Sequence, residues 1–143
     1  MRIAEFKLYS AIRNPQSAMV TGFNHIQIAA PLNSETAARR FYGELLGLPE
    51  IPKPPELAKR GGVWFSCGDQ QLHVGIESDF HPARKAHPAF SVVELDVLRE
   101  RIEGAGFATE SDDKLPGYRR FYTFDPFGNR LEFLEPLEVT EDT

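Results

Sequence analysis

Three histidines and one glutamate carry the chemistry open to this chain. His25, His73, His87 and Glu132 fall at matching places in two half-length repeats. The first half opens on Asn24-His25-Ile26-Gln27-Ile28, and the second on Ala86-His87-Pro88-Ala89-Phe90, about sixty residues later. Each half closes on a strand-like run, Gln71-Leu72-His73-Val74 in the first and Arg130-Leu131-Glu132-Phe133 in the second. Neither half alone supplies enough ligands for a metal ion; the two together do. Three imidazoles and a carboxylate suit one divalent ion (Zn, Ni, Co, Fe or Mn), and two histidines with one carboxylate and open positions also suit non-haem Fe(II). An ion held this way binds two neighbouring oxygens of a substrate and stabilises negative charge as it develops there. Glu132 and His73 are the candidates for moving a proton.

These residues need strands to aim them. From Phe23 to Ala29 the pattern alternates, with Ile26 and Ile28 on one face and His25, Gln27 and Ala29 on the other, which is the period of a strand. Asn33 and Ser34 are placed to cap a helix, and Ala38, Phe41, Leu45 and Leu48 form its apolar stripe, with Gly47 as the stop. The proline-rich stretch 49–62 reads as a loop with a short edge strand. Val63–Cys67 and Gln71–Glu77 read as two strands, Leu72, Val74 and Ile76 opposing Gln71, His73 and Gly75. The second half repeats the order. His87–Val92 is a strand, Leu95, Leu98 and Ile102 mark a helix ended by Gly104 and Gly106, and Phe107–Glu110 is a short strand. Ser111–Gly117 is a loop, and Arg119–Phe124 and Arg130–Leu134 form a hairpin. Each half is strand–helix–strand–strand–strand, with its candidate ligands opposite the apolar face. Helices then cover the outer face of a curved sheet, and the inner face lines a cavity.

Size and composition set bounds. The 143 residues fit one domain, and 41% hydrophobic with 26% charged residues is ordinary for a globular chain. A net charge of −5 without a basic stripe argues against nucleic acid. Cys67 is the only cysteine, so no internal disulfide or thiolate cluster forms, and a cytoplasmic setting is expected. No apolar run approaches the roughly 18 residues of a membrane span. Residues 1–21 read as an arm ahead of a single domain over 22–137, with repeats at about 22–78 and 86–136 and a tail at 138–143. Arg84 with Lys85 just before His87, and whichever of Arg119 and Arg120 faces the cavity, are the candidate substrate-binding cations. Cys67 reads as packing, His81 as a loop residue, and Trp64 and Tyr122 as core or cavity wall.

In these segments the chain resembles the vicinal oxygen chelate superfamily of glyoxalase I, extradiol dioxygenases, fosfomycin-resistance transferases and bleomycin-binding proteins. The resemblance rests on Phe23-Asn24-His25-Ile26, Phe41-Tyr42-Gly43-Glu44-Leu45-Leu46-Gly47-Leu48, Ala86-His87-Pro88-Ala89-Phe90 and the run from Asp125 to Phe133. It implies an α+β fold, two βαβββ modules forming an open U-shaped barrel, with metal ligands on the first and last strands of each module. Those positions are His25, His73, His87 and Glu132. It also implies a homodimer whose sites combine one module from each subunit. The function implied is a metal-dependent lyase or isomerase of the glyoxalase type acting on a small oxygen-rich substrate. The alternatives are an Fe(II) extradiol-type dioxygenase and a non-catalytic drug-binding protein.

Overall fold

Alternation along the first repeat produces the strand β1 (His25–Ala30), in which Ile26 and Ile28 pack toward the core while His25 and Gln27 stay exposed. The computed structural model describes residues 18–138; most of the arm expected over 1–21 and nearly all of the tail expected over 138–143 lie outside them. β2 (Glu50–Ile51), β3 (Val63–Cys67) and β4 (Gln70–Ile76) complete a four-stranded sheet of order β1-β4-β3-β2. β1 runs parallel to β4, with Gln27 opposite His73, and β3 runs antiparallel to β4, with Trp64 opposite His73.

The second repeat builds the same arrangement. β5 (Ala89–Ser91), β6 (Thr109–Asp112), β7 (Tyr118–Phe124) and β8 (Arg130–Pro136) form a sheet of order β5-β8-β7-β6. β5 is parallel to β8, with Ala89 opposite Glu132, and β7 is antiparallel to β8, with Tyr122 opposite Glu132. A parallel pair cannot be closed by a tight turn and needs a crossover. Helices supply it: α1 (Glu35–Ala38) leads into a π-helical segment Arg39–Leu45, α2 (Pro55–Ala58) follows β2, and α3 (Leu95–Gly104) follows β5. The result is the α+β pair of βαβββ modules expected from the repeat, with α2 as an addition to the first.

Some local readings need correction. Ser34 stands at the N-cap of α1, but its hydroxyl is buried without a hydrogen-bond partner among the described residues. The helix then widens, with Leu46 N donating to Phe41 O at 2.9 Å, a five-residue step. The wider turn lets two adjacent aromatic residues, Phe41 and Tyr42, both face inward. β5 starts at Ala89, later than expected, because Pro88 has no N–H for a ladder. β6 is displaced two residues onward to Asp112, where Asp112 pairs across to Arg120.

The halves are joined by a buried polar knot as well as by core packing. The Asp125 carboxylate accepts from Tyr42 OH (2.6 Å), from the Asn129 side chain (3.0 Å) and from the backbone N–H groups of Phe127 and Asn129 (both 2.9 Å). Asn129 in turn donates to Ala29 O on β1 at 2.8 Å. Phe41 meets Phe107 edge-on at 4.9 Å. The Asp125-Pro126-Phe127-Gly128-Asn129 turn thus ties the last hairpin to the first sheet, and Gly128 takes the left-handed conformation (φ 91) that the turn requires. Among the described residues no helix is long and apolar enough to cross a membrane.

Two outcomes follow for this knot. Tyr42→Phe should cost about 1–3 kcal/mol in urea unfolding at neutral pH, by leaving a buried carboxylate one donor short. Burial, with the Asp125 charge and hydrogen bond behind it, pushes the Tyr42 hydroxyl well above the ordinary tyrosine value. The folded state therefore holds this proton after the unfolded chain has lost it. The wild type should lose stability as pH rises past about 10, and Tyr42→Phe should show a shallower loss in the same melts.

Candidate metal centre

The four candidate ligands fall into two pairs. On sheet two, His87 Nε2 lies 3.0 Å from Glu132 Oε1. On sheet one, the His25 and His73 rings stack, centres 4.3 Å apart and planes 16° from parallel. Among the described residues no three His, Cys, Asp or Glu side chains of one chain come close enough to share an ion. One chain therefore presents two half-sites.

The His87–Glu132 pair is chemically specific. His87 Nδ1 is 2.8 Å from the Lys85 backbone carbonyl, which only accepts, so Nδ1 carries the proton. In the neutral ring, Nε2 then points a lone pair at a carboxylate oxygen. Two acceptors at this distance are reconciled only by a proton or a cation. Two ligand atoms in neighbouring positions around an ion, at bond lengths of about 2.1 Å, stand roughly 3.0 Å apart. The spacing, the tautomer and the donor types all fit a divalent ion. Glu132 is 5% exposed, and its other oxygen accepts from Arg120 at 3.4 Å. Arg120 is itself anchored on Asp112 at 3.0 Å, so the carboxylate is oriented from behind.

His25 shares the pattern. Its Nδ1 donates to Asn24 Oδ1 at 2.9 Å, leaving Nε2 free on an exposed ring. His73 differs. Its Nε2 donates to Gln71 Oε1 at 2.9 Å, and its buried ring lies between His25 and Trp64, the latter at 3.8 Å and only 4° from parallel. An ion is bound in the plane of an imidazole. Nearly parallel planes do not meet within bonding distance, so in this arrangement one ion cannot bind both His25 and His73. Burial chiefly, then the charges of His25 and Lys53, push the His73 imidazole below its ordinary value.

Of the paired arginines, Arg120 shares the face of Glu132, whereas Arg119 lies on the helix side, bound to Asp96 (2.6 Å) and Glu135 (3.3 Å). Arg84 is exposed beside a groove that also holds Tyr122 and Arg130. Trp64 and Tyr122, expected as core or cavity wall, and Arg130, which the sequence did not single out, stand beside the candidate ligands: Trp64 stacked on His73, Tyr122 beside His87 (ring centres 5.6 Å), and Arg130 over Tyr122 (4.3 Å). Counting register from the ligands would have found them. Trp64 stands opposite His73, Tyr122 opposite Glu132, and Arg130 two residues before Glu132 on the same face.

The fold is that of a known class. The chain belongs to the Glyoxalase/Bleomycin resistance protein/Dioxygenase superfamily, whose model matches residues 22–133. A glyoxalase family protein from Bacillus anthracis is 49% identical, over 82% of this chain and 97% of that one, with a TM-score of 0.80. Lactoylglutathione lyase from Agrobacterium tumefaciens is 24% identical, over 81% of this chain and 94% of that one, with a TM-score of 0.64. A variant of the fosfomycin resistance protein FosX from Listeria monocytogenes, crystallised with Mn(II) and 1S,2S-dihydroxypropylphosphonic acid, is 18% identical. That match covers 82% of this chain and 94% of FosX, with a TM-score of 0.68. The last two share the fold. No match was found among the curated proteins.

The tautomers are directly observable. In metal-free protein, long-range nitrogen–proton NMR should report Nδ1–H for His25, Nε2–H for His73, and an Nδ1 proton on His87 with a second proton at Nε2 facing Glu132. His73 should titrate below the ordinary 6.5. Because its folded value is depressed, the stability it contributes is present above that ordinary value and is lost as pH falls through the folded one. A His73 that titrates at or above 6.5 contradicts the stacked, desolvated placement.

Proposed function

We propose that this protein is a metal-dependent vicinal oxygen chelate enzyme, a glyoxalase-like lyase or isomerase acting on a small oxygen-rich substrate. The observation that carries this reading is the His87–Glu132 pair, two acceptors held 3.0 Å apart with the proton of His87 committed elsewhere. The proposed ligands are His25, His87 and Glu132. A divalent ion there would supply Lewis-acid stabilisation of negative charge on two neighbouring substrate oxygens. Glu132 is the group placed to take or return a proton. Arg120 keeps its carboxylate aimed, and Asp112 keeps Arg120 aimed. His73 holds the His25 ring in place and stands as a reserve donor or base should the stack open.

The division of candidate ligands between two half-sites supports a homodimer in which His25 of one subunit completes the His87–Glu132 pair of its partner. A symmetric dimer then carries two such sites. Residues 22–137 act as one folded unit in this reading.

Metal analysis tests both parts. Wild-type protein purified without chelator should carry about one divalent ion per chain, and Glu132→Ala should lose it. His25→Ala and Glu132→Ala mixed in equal amounts and exchanged should recover about a quarter of the wild-type sites, since half the dimers are mixed and each has one intact site. No recovery in mixed dimers verified by mass would rule out the composite arrangement. No uptake of Zn, Ni, Mn or Fe(II) by wild type would rule out the metal enzyme. Iron with oxygen-dependent turnover would instead select dioxygenase chemistry.

A further inference from the structure

Arg130 carries a charge that the proposed metal site does not use. The other two arginines of sheet two are both paired, Arg119 with Asp96 and Glu135, and Arg120 with Asp112 and Glu132. Arg130 has no ion pair among the described residues. Its half-buried guanidinium lies 4.3 Å from the Tyr122 ring centre, and Arg120 lies 5.3 Å from the same ring. This cation–π contact leaves the guanidinium N–H donors for an acceptor. It also restrains a side chain that would otherwise be flexible, so less freedom is lost on binding.

Position supplies the second observation. Arg130 and Glu132 are two residues apart on β8, on one face, with backbones about 6.6 Å apart. A groove of 350 Å³ opens at this end of the sheet, lined by Arg84, Thr109, Glu110, Tyr122 and Arg130 among others. Asp112 also lines it but is committed to Arg120. Glu110, opposite Tyr122 on β6, is the carboxylate an incoming anion must avoid.

We propose that Arg130, with Arg84 beside it, is the anion-recognition point of the substrate groove. The substrate then carries a carboxylate or phosphate group a few bonds from the two oxygens that chelate. This inference rests on the metal-centre reading and adds the substrate's charge to it. The bland alternative is an arginine that only stacks on Tyr122 and is solvated.

The experiment separates the two. Metal-loaded wild-type protein is titrated calorimetrically with glycerol, glycerol 3-phosphate and 3,4-dihydroxybutanoate, which share a vicinal diol and differ in the anion. The charged diols should bind at least about tenfold tighter than glycerol, and Arg130→Gln should erase most of that ratio while leaving metal affinity unchanged. Arg130→Lys should keep part of it, because the charge remains without the fork. The better of the two charged diols names the anion. An unchanged ratio in Arg130→Gln overturns the proposal, and so does loss of metal together with the ratio, which would make Arg130 a support for Glu132. A second arm uses inorganic phosphate on metal-free protein and reads the arginine Nε–H resonances. A saturable shift of Arg130 supports the anion site even if the metal reading fails. Its absence in folded wild type overturns the site whatever the variants do.

Discussion

A lone pair facing a carboxylate is the constraint on which the rest of this molecule turns. His87 cannot relieve it by changing tautomer, because the Lys85 carbonyl holds the Nδ1 proton. Glu132 cannot turn away freely, because Arg120 grips its second oxygen and the residue is buried in the sheet. The contact is therefore stable only with a positive charge in it. That charge is a proton, which makes His87 an imidazolium, or a metal ion, which the proposed function assigns. Other features of sheet two read as support. β5 lies parallel to β8, the Asp112–Arg120 pair extends β6, and Pro88 O accepts from Glu132 N at 3.1 Å.

The frame that keeps this contact rigid is built around Asp125. Its carboxylate collects donors from the π-helical segment, from the final turn and from Asn129, which also reaches β1. A shift of the last hairpin would break several of these bonds at once. The π-helical turn is part of the same device, since it is what allows Phe41 to enter the core against Phe107 while Tyr42 reaches Asp125. Among the described residues sheet one has no comparable ion pair at its inner face. It presents instead three stacked rings, His25, His73 and Trp64, whose outermost member is the exposed one.

Much of this was legible in the sequence, for a simple reason. Strand period two sorts residues into faces, so His25, His73 and Glu132 could be set opposite Ile26, Leu72 and Leu131 without coordinates. The repeat then gave the topology twice. What stayed hidden depends on contacts across the fold. Nothing local to Arg39–Leu45 announces a π-helix; the pull of Asp125, more than eighty residues away, lies outside any window along the chain. Nor does Ser34 reveal that its hydroxyl will cap nothing. The extension of β6 to Asp112 depends on Arg120, and the Trp64–His73 stack depends on the register of β3 against β4. Arg119 and Arg120 could be assigned to opposite faces from the sequence, but which faced Glu132 needed the register of β7 against β8.

The most direct test of the account is the number of imidazoles around the ion. X-ray absorption of zinc-loaded wild-type protein counts them through their ring scattering. The account predicts two, from His25 and His87, with oxygen completing the shell at about 2.0–2.2 Å. Three imidazoles would contradict the exclusion of His73 by stacking. One or none would contradict the proposed union of the two half-sites.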